Sequence, residues 1–270
     1  MIPRIFHRIW LGSEPMPEDF VAYGETWRAH HPGWEMRLWT DEDLPDLGES
    51  RPAFERGRNQ SERSNVLRYE LLRSQGGVYI DTDMECRRSI EPLIDGVPVF
   101  AGYQREGRLG SAIIGAEAHH PAFEEGVRRV RERTGSGLQV NENGPGFLAE
   151  MLAGHPDVTY FDHELFYPYP FNELWRAGEE FPDAYGVHHW SKTWESREEL
   201  RAKVEVLQKR VKRFKRHSEK AEREAAALRA RLEAIERTWG RRLGHRVAGA
   251  VPESVRRRRR RGRALAPLER

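Results

Sequence analysis

The 270-residue sequence predicts an α/β domain followed by a long helix, on three observations. Helical patterns alternate with short apolar runs through the first 195 residues, which favours a largely parallel sheet with ligands at the strands' carboxyl ends. Within Ser64–Asp83 a helix, a Gly76-Gly77 turn, a short buried strand and two carboxylates spaced i, i+2 follow one another. From Leu200 onward apolar residues recur at alternating steps of four and three, the signature of a coiled-coil seam.

The elements follow in order. Ile5–Trp10 is a strand candidate, and Phe20–His30 reads as a helix that His31-Pro32-Gly33 breaks. Trp34–Trp39 alternates as a strand does. Ser61–Ser74 is helical with Leu67, Leu71 and Leu72 turned inward, and Gly76-Gly77 stops it. Val97–Ala101 and Ala112–Gly115 are further strands. Asn143-Gly144-Pro145-Gly146 is a loop before a helix over Phe147–Leu152.

Three segments differ in character: a globular domain over 1–195, a helix over 196–240, and a basic tail over 241–270, disordered or lying on a membrane. The net charge of +2 conceals this division. Residues 196–270 carry 25 Lys/Arg against 10 Asp/Glu, whereas residues 1–195 carry 20 against 33. An acidic globular part therefore precedes a basic extended one. The single cysteine, Cys86, excludes an intrachain disulfide framework. The chain shows no apolar run of signal-peptide length and no 18-residue apolar stretch. These features lead us to expect a cytoplasmic protein, peripheral at the inner face of a membrane.

Asp81 and Asp83 offer hard oxygen ligands beyond a strand end, suited to holding Mg²⁺ or Mn²⁺ against a phosphorylated ligand. Asp-x-Asp alone occurs often by chance, and a surface turn is its bland reading. Its company is more specific. Ile2–Gly12, Ser64–Asp83, Asn143–Gly146 and Val187–Trp194 occur in the order found in the DXD-containing sugar-transferase family. That family includes yeast-type initiating α-1,6-mannosyltransferases, α-1,4-galactosyltransferases and many bacterial enzymes, and the chain resembles a bacterial-type member over roughly residues 1–195.

The resemblance implies a GT-A (Rossmann-like) fold and a retaining hexosyltransferase of DXD type. It implies Mn²⁺ or Mg²⁺, a UDP- or GDP-sugar as donor, and a hydroxyl of a glycan or lipid-linked acceptor. It implies that Trp10 stacks on the nucleobase, with a flat indole tolerating a wet edge. Arg68 would contact the donor with its planar fork, and Tyr79 would face it too. Asp83 would bind the metal directly. Asp81 would contact the ribose, the donor sugar or a metal-bound water. His188 or His189 would complete the metal site, since imidazole suits Mn²⁺; neighbours on a strand face opposite sides, so one of the two reaches the ion. Trp190 and Trp194 would close over the diphosphate. Two positions depart from the family. Asn65 stands where Asp is common and Ser111 where Asn is common, so the identity of the sugar is in question.

Leu200, Val204, Leu207, Val211, Phe214, Ser218, Ala221, Ala225, Leu228, Leu232, Ile235 and Trp239 form the seam, with no Pro or Gly from 200 to 239. It predicts a coiled coil that pairs chains or docks a partner; the competing reading is a lone amphipathic helix packed back on the domain. Arg256–Arg261 then offers charge to an anionic membrane. Two other function classes remain: a degenerate sugar-nucleotide-binding module working through its coiled coil, and a nucleic-acid-binding protein suggested by the arginine run alone. The acidic domain argues against nucleic acid as the main partner.

Overall fold

A computed structural model describes residues 1–134, 143–191 and 197–249; of residues 197–200, 202, 203, 236 and 238–249 it describes the backbone alone. Residues Met1–Trp194 make one unit and Glu195–Arg270 another. Trp194 and the arginine run 256–261 lie outside the described residues.

The first unit is built around helix α3 (Gln60–Gln75). Asn59 caps it, its side chain accepting from Glu62 N at 2.9 Å. Glu62 in turn accepts from Arg58 N, much as in a capping box. Gly76 ends the helix with φ of 65°, and Gly77 follows at 94°. A Cβ on Gly76 would lie 2.5 Å from Ala118 N, and one on Gly77 2.5 Å from Ile5 Cγ2. Only this pair of glycines lets the chain turn and run at once into strand β3 (Gly77–Ile80).

Strands β1 (Ile5–Ile9), β2 (Glu35–Trp39), β5 (Val99–Arg105), β6 (Arg108–Ala116) and β7 (Val158–Phe161) complete a sheet with β3, in the order β2-β1-β3-β6-β5-β7. β1 pairs in parallel with β2 and β3, and β5 with β7. β6 runs antiparallel to both its neighbours, so the sheet is mixed rather than largely parallel. The cause is local: Glu106-Gly107 makes a two-residue turn between β5 and β6, with Gly107 at φ of 67°, and a hairpin forces antiparallel pairing.

Helices α5 (Pro121–Arg133) and α6 (Pro145–Leu152) pack with α3 on one side of the sheet, burying Leu67, Leu71, Phe123, Val127 and Leu148. Helices α1 (Glu18–His30) and α7 (His163–Phe166) contribute Trp27 and Phe166 on the other side, against Phe6, Val78, Ile80 and Phe100. Two further helices, α2 (Arg51–Arg56) and α4 (Glu91–Ile94), are short. Strands β4 (Met84–Cys86) and β8 (Gly186–His188) form a second, two-stranded sheet that sequence periodicity did not reveal.

In the second unit the described chain is one helix, α8 (Arg197–Gly249). It continues past Gly240, where the sequence suggested that the tail begins. Gly240 and Gly244 lie inside it, and each glycine in a helix interior costs only about 1 kcal/mol relative to alanine. No helix among the described residues is long and apolar enough to cross a membrane.

His7 ties the sheet together. It is fully buried, accepts from Trp39 Nε1 at Nδ1 (3.1 Å), and meets Gly76 O through Nε2 at 2.9 Å. The indole can only donate, so Nε2 carries the single proton and the ring is neutral. Burial lowers its pKa from 6.5 to about 4. The unfolded chain therefore binds the extra proton first. Stability is complete above about pH 6.5 and is lost as pH falls towards 4, by up to about 3 kcal/mol. Urea unfolding at pH 7 and pH 4.5 checks this. His7→Gln, which keeps one donor and one acceptor, is expected to flatten that part of the pH dependence.

Candidate active site

β3 ends at Ile80, and Asp81 N extends its ladder by donating to Ala112 O at 2.8 Å. The chain then turns, with Met84 N donating to Asp81 O at 3.1 Å, which sets Asp81 and Asp83 on either side of Thr82. β4 begins immediately and pairs antiparallel with β8, Met84 opposite His188. This short ladder carries an imidazole across more than a hundred residues of sequence to the acidic turn.

The result is a cluster of Asp81, Asp83 and His188 whose ligand atoms lie within 4.8 Å of one another. Each carboxylate has one oxygen already held. Asp81 Oδ1 accepts from Tyr79 OH and faces Arg68 Nη2 at 3.5 Å. Asp83 Oδ2 accepts from Ser191 N at 2.7 Å. The other oxygens, Asp81 Oδ2 and Asp83 Oδ1, face His188 Nε2 at 3.8 and 3.2 Å. Two carboxylate oxygens and one imidazole nitrogen thus converge, and partners behind them fix their orientation, as outer-shell groups do at metal sites. Burial opposes both charges, yet the ion pair prevails. His188 holds the Asp83 carboxyl below its ordinary range, and Asp83 holds the imidazole above its own. The donor set of hard oxygens with one imidazole fits a divalent cation such as Mn²⁺.

Arg68 is buried on α3 beside this cluster. Its guanidinium lies 4.2 Å from the Tyr79 ring centroid and donates to Ser111 O. Its Nε is buried without a hydrogen-bond partner. Ser111 therefore enters through its carbonyl. Asn65 donates to Asn143 Oδ1 at 3.0 Å, and Asn143 is itself held by Glu62 O and Thr134 Oγ1. The Asn143–Gly146 block is thereby docked on the first turns of α3.

Trp190 has φ of 59°, rare for an aromatic residue, and this left-handed turn precedes the Ser191 N that reaches Asp83. Such backbone costs on the order of 1–3 kcal/mol and clusters at functional sites. Its ring lies 4.3 Å from that of His188, and its Nε1 donates to Tyr169 O. His189 is turned away from the cluster. Its Nε2 meets Glu85 Oε2 at 3.0 Å, and its ring stacks on Tyr23 at 4.4 Å. The alternation of side chains beyond β8 is the reason, and it leaves His189 outside the cluster of Asp81, Asp83 and His188. Trp10 is not among the described contacts of the cluster either; it donates to Glu14 O and rests edge-on against Phe20.

Two residues escaped sequence reasoning. Arg8 is buried in β1, donating from Nη2 to Phe20 O and, at 2.8 Å, to Thr82 O between the two carboxylates. Gly24 leaves it room, since a Cβ there would meet Arg8 Nη1. Burial lowers its pKa to about 10, still charged at neutral pH. Its signal was a charge inside a short buried strand. Tyr167 accepts from Ala112 N at 3.0 Å and sets its ring edge against His188; its sequence gives no such signal.

Known proteins similar to this chain point the same way as the site. Residues 17–99, which include the Asp81–Asp83 turn, match the glycosyltransferase sugar-binding region containing the DXD motif. The chain is 28% identical over 193 residues to inositol phosphoceramide mannosyltransferase 3 of Schizosaccharomyces pombe, covering 70% of this chain and 49% of that one. It is 29% identical over 136 residues to mannosyl phosphorylinositol ceramide synthase SUR1 of Saccharomyces cerevisiae, covering 48% and 35%. The chain thus spans half or less of the length of these two relatives. Among solved structures it matches PaToxG glycosyltransferase with 14% identity and a TM-score of 0.48, over 56% of this chain and 69% of that one. A likeness of that degree carries no argument about substrate.

Direct titration with Mn²⁺, followed by the EPR signal of the free ion, tests the cluster. Asp83→Asn and His188→Ala are expected to lose binding. His189→Gln is expected to retain it, and loss there equal to that in His188→Ala would contradict the assignment. Tyr79→Phe, which frees Asp81 Oδ1, is expected to weaken affinity by roughly 10–100-fold.

Proposed function

We propose that the Met1–Trp194 unit is a metal-dependent glycosyltransferase that moves a hexose from a nucleotide-diphospho-sugar to an acceptor hydroxyl with retention of configuration. The observation that carries this reading is the convergence of Asp81, Asp83 and His188 on one point, beside a buried arginine, with the acidic turn inside the matched region.

In this proposal Asp81, Asp83 and His188 hold Mn²⁺ or Mg²⁺. When bound, the ion would neutralise charge that develops on the leaving diphosphate. Arg68 presents a fixed cation beside the cluster, oriented by Tyr79, Asp81 and the Ser111 carbonyl. Arg8 holds the Thr82 carbonyl and so keeps the two carboxylates projecting together. The half-buried Trp10 offers its ring to the nucleobase and Trp190 its ring to the diphosphate. The carboxylates of the cluster are engaged by Tyr79, Arg68, Ser191 and His188, which leaves neither free as a nucleophile of the kind retaining hydrolases use. We therefore favour attack on the face the leaving group departs from, with the leaving phosphate accepting the acceptor's proton. The names of the relatives support mannose as the hexose and a lipid-linked acceptor. A cytoplasmic location, with the basic stretch 241–270 drawn to the inner face of a membrane, belongs to the same proposal.

A panel of UDP- and GDP-sugars with Mn²⁺ tests the reading. The true donor at 100 times its Kd is expected to raise apparent stability by about 2.7 kcal/mol, seen as a thermal shift. Asp83→Ala is expected to abolish metal-dependent transfer at saturating donor. Unchanged turnover in that variant would overturn the mechanism, and donor binding without transfer to any acceptor would favour the degenerate sugar-nucleotide-binding module.

A further inference from the structure

Within the second unit nothing among the described residues covers the apolar seam of the long helix. Val204, Leu207, Val211, Phe214, Leu228, Leu232 and Ile235 are each between 48% and 80% exposed. In heptad terms Val204, Val211, Ser218, Ala225 and Leu232 occupy a positions, and Leu207, Phe214, Ala221, Leu228 and Ile235 occupy d positions. The distribution of volume along this seam is uneven: large residues at both ends, Ser218, Ala221 and Ala225 at the centre, and one Phe214 beside them.

That pattern is self-complementary in one orientation. In a parallel pair each residue faces its own copy. Phe214 would meet Phe214, and the next three layers would be Ser on Ser, Ala on Ala and Ala on Ala. Two facing aromatics would hold the helices apart at the point where the small residues need them closest, leaving voids that packed interiors do not tolerate. In an antiparallel pair each a residue faces a d residue of the second copy. Val204 then meets Ile235, Leu207 meets Leu232, Val211 meets Leu228, Phe214 meets Ala225, and Ser218 meets Ala221. Every described layer joins two large aliphatics, a large residue with a small one, or two small ones at the centre. A two-fold interface has this property, with residue i touching j and j touching i. Interdigitation of large with small residues is what lets a seam close.

The flanking charges do not decide the question. Antiparallel pairing sets Lys215 against Glu222 favourably and Arg210 against Arg231 unfavourably. Parallel pairing sets Glu224 against Arg229 favourably and Arg210 against Lys215 unfavourably. Exposed pairs of this kind are weak, so packing prevails. We propose that α8 is the interface of an antiparallel homodimer, with Phe214 of each copy seated on Ala225 of the other.

A single spin label on the outer face of the helix distinguishes the outcomes in the full-length protein. Glu205→Cys is labelled, Cys86 being buried, and the label-to-label distance is measured by double electron–electron resonance. The antiparallel register sets the two labels about 29 residues apart along the axis, or ~44 Å at 1.5 Å per residue. A distance of roughly 20 Å, set by two helix diameters, indicates parallel pairing and overturns the proposal. So does the absence of any intermolecular distance together with a monomeric mass by sedimentation. Phe214→Asp, which places a charge in the seam while leaving the outer face unchanged, is expected to abolish the ~44 Å distance and shift the mass to a monomer. A dimer that persists in that variant with the same distance would reject the seam as its interface.

Discussion

The short ladder of β4 against β8, which begins one residue after Asp83, carries the rest of the site. It joins a turn near residue 82 to a strand near residue 187, and it sets His188 Nε2 3.2 Å from Asp83 Oδ1. Without that ladder the acidic pair would be two carboxylates on a surface turn, repelling one another. With it, one oxygen of each is tied to Tyr79 or Ser191 and the other faces the imidazole. The same pairing explains why His188 and His189, adjacent in sequence, differ in role. One faces the acidic turn, and the next is captured by Glu85 and Tyr23.

The charges around this turn are arranged at some cost to stability. Arg8 and Arg68 are both buried, and each leaves its Nε without a hydrogen-bond partner. A buried, incompletely satisfied cation is destabilising in isolation. Trp190 adds a left-handed backbone that an aromatic residue rarely adopts. Such local violations of packing rules concentrate at functional sites, where the surrounding structure over-determines them. The surroundings here are a rigid helix and strand: α3 fixes Arg68, β1 fixes Arg8, and Gly24 allows the close approach that buries Arg8.

Much of the first unit was legible because its signals are local. The Asn59 cap, the Gly76-Gly77 stop and the apolar strand between Gly77 and Ile80 each act within a few residues, so the helix, turn and strand of 60–80 could be read directly. The sheet's mixed character was missed because Glu106-Gly107 is a short signal inside a longer polar stretch. Strands β4 and β8 are three residues each, too short for periodicity to mark. Trp10 and Asn65 were named as donor contacts from resemblance. The structure gives their own partners, Glu14 and Phe20 for the one and Asn143 for the other.

By itself the sequence determined the α/β class, the acidic turn after a strand, and a helix with a 3.5-residue seam. Each depends on chemistry carried by neighbours along the chain. The tertiary structure alone decided which carboxylate oxygens face the imidazole, which histidine supplies it, and that Arg8 braces the turn from behind. Those depend on strand register and on which side of a short ladder each side chain falls. Register is fixed by contacts between residues about a hundred positions apart, and no local pattern encodes it.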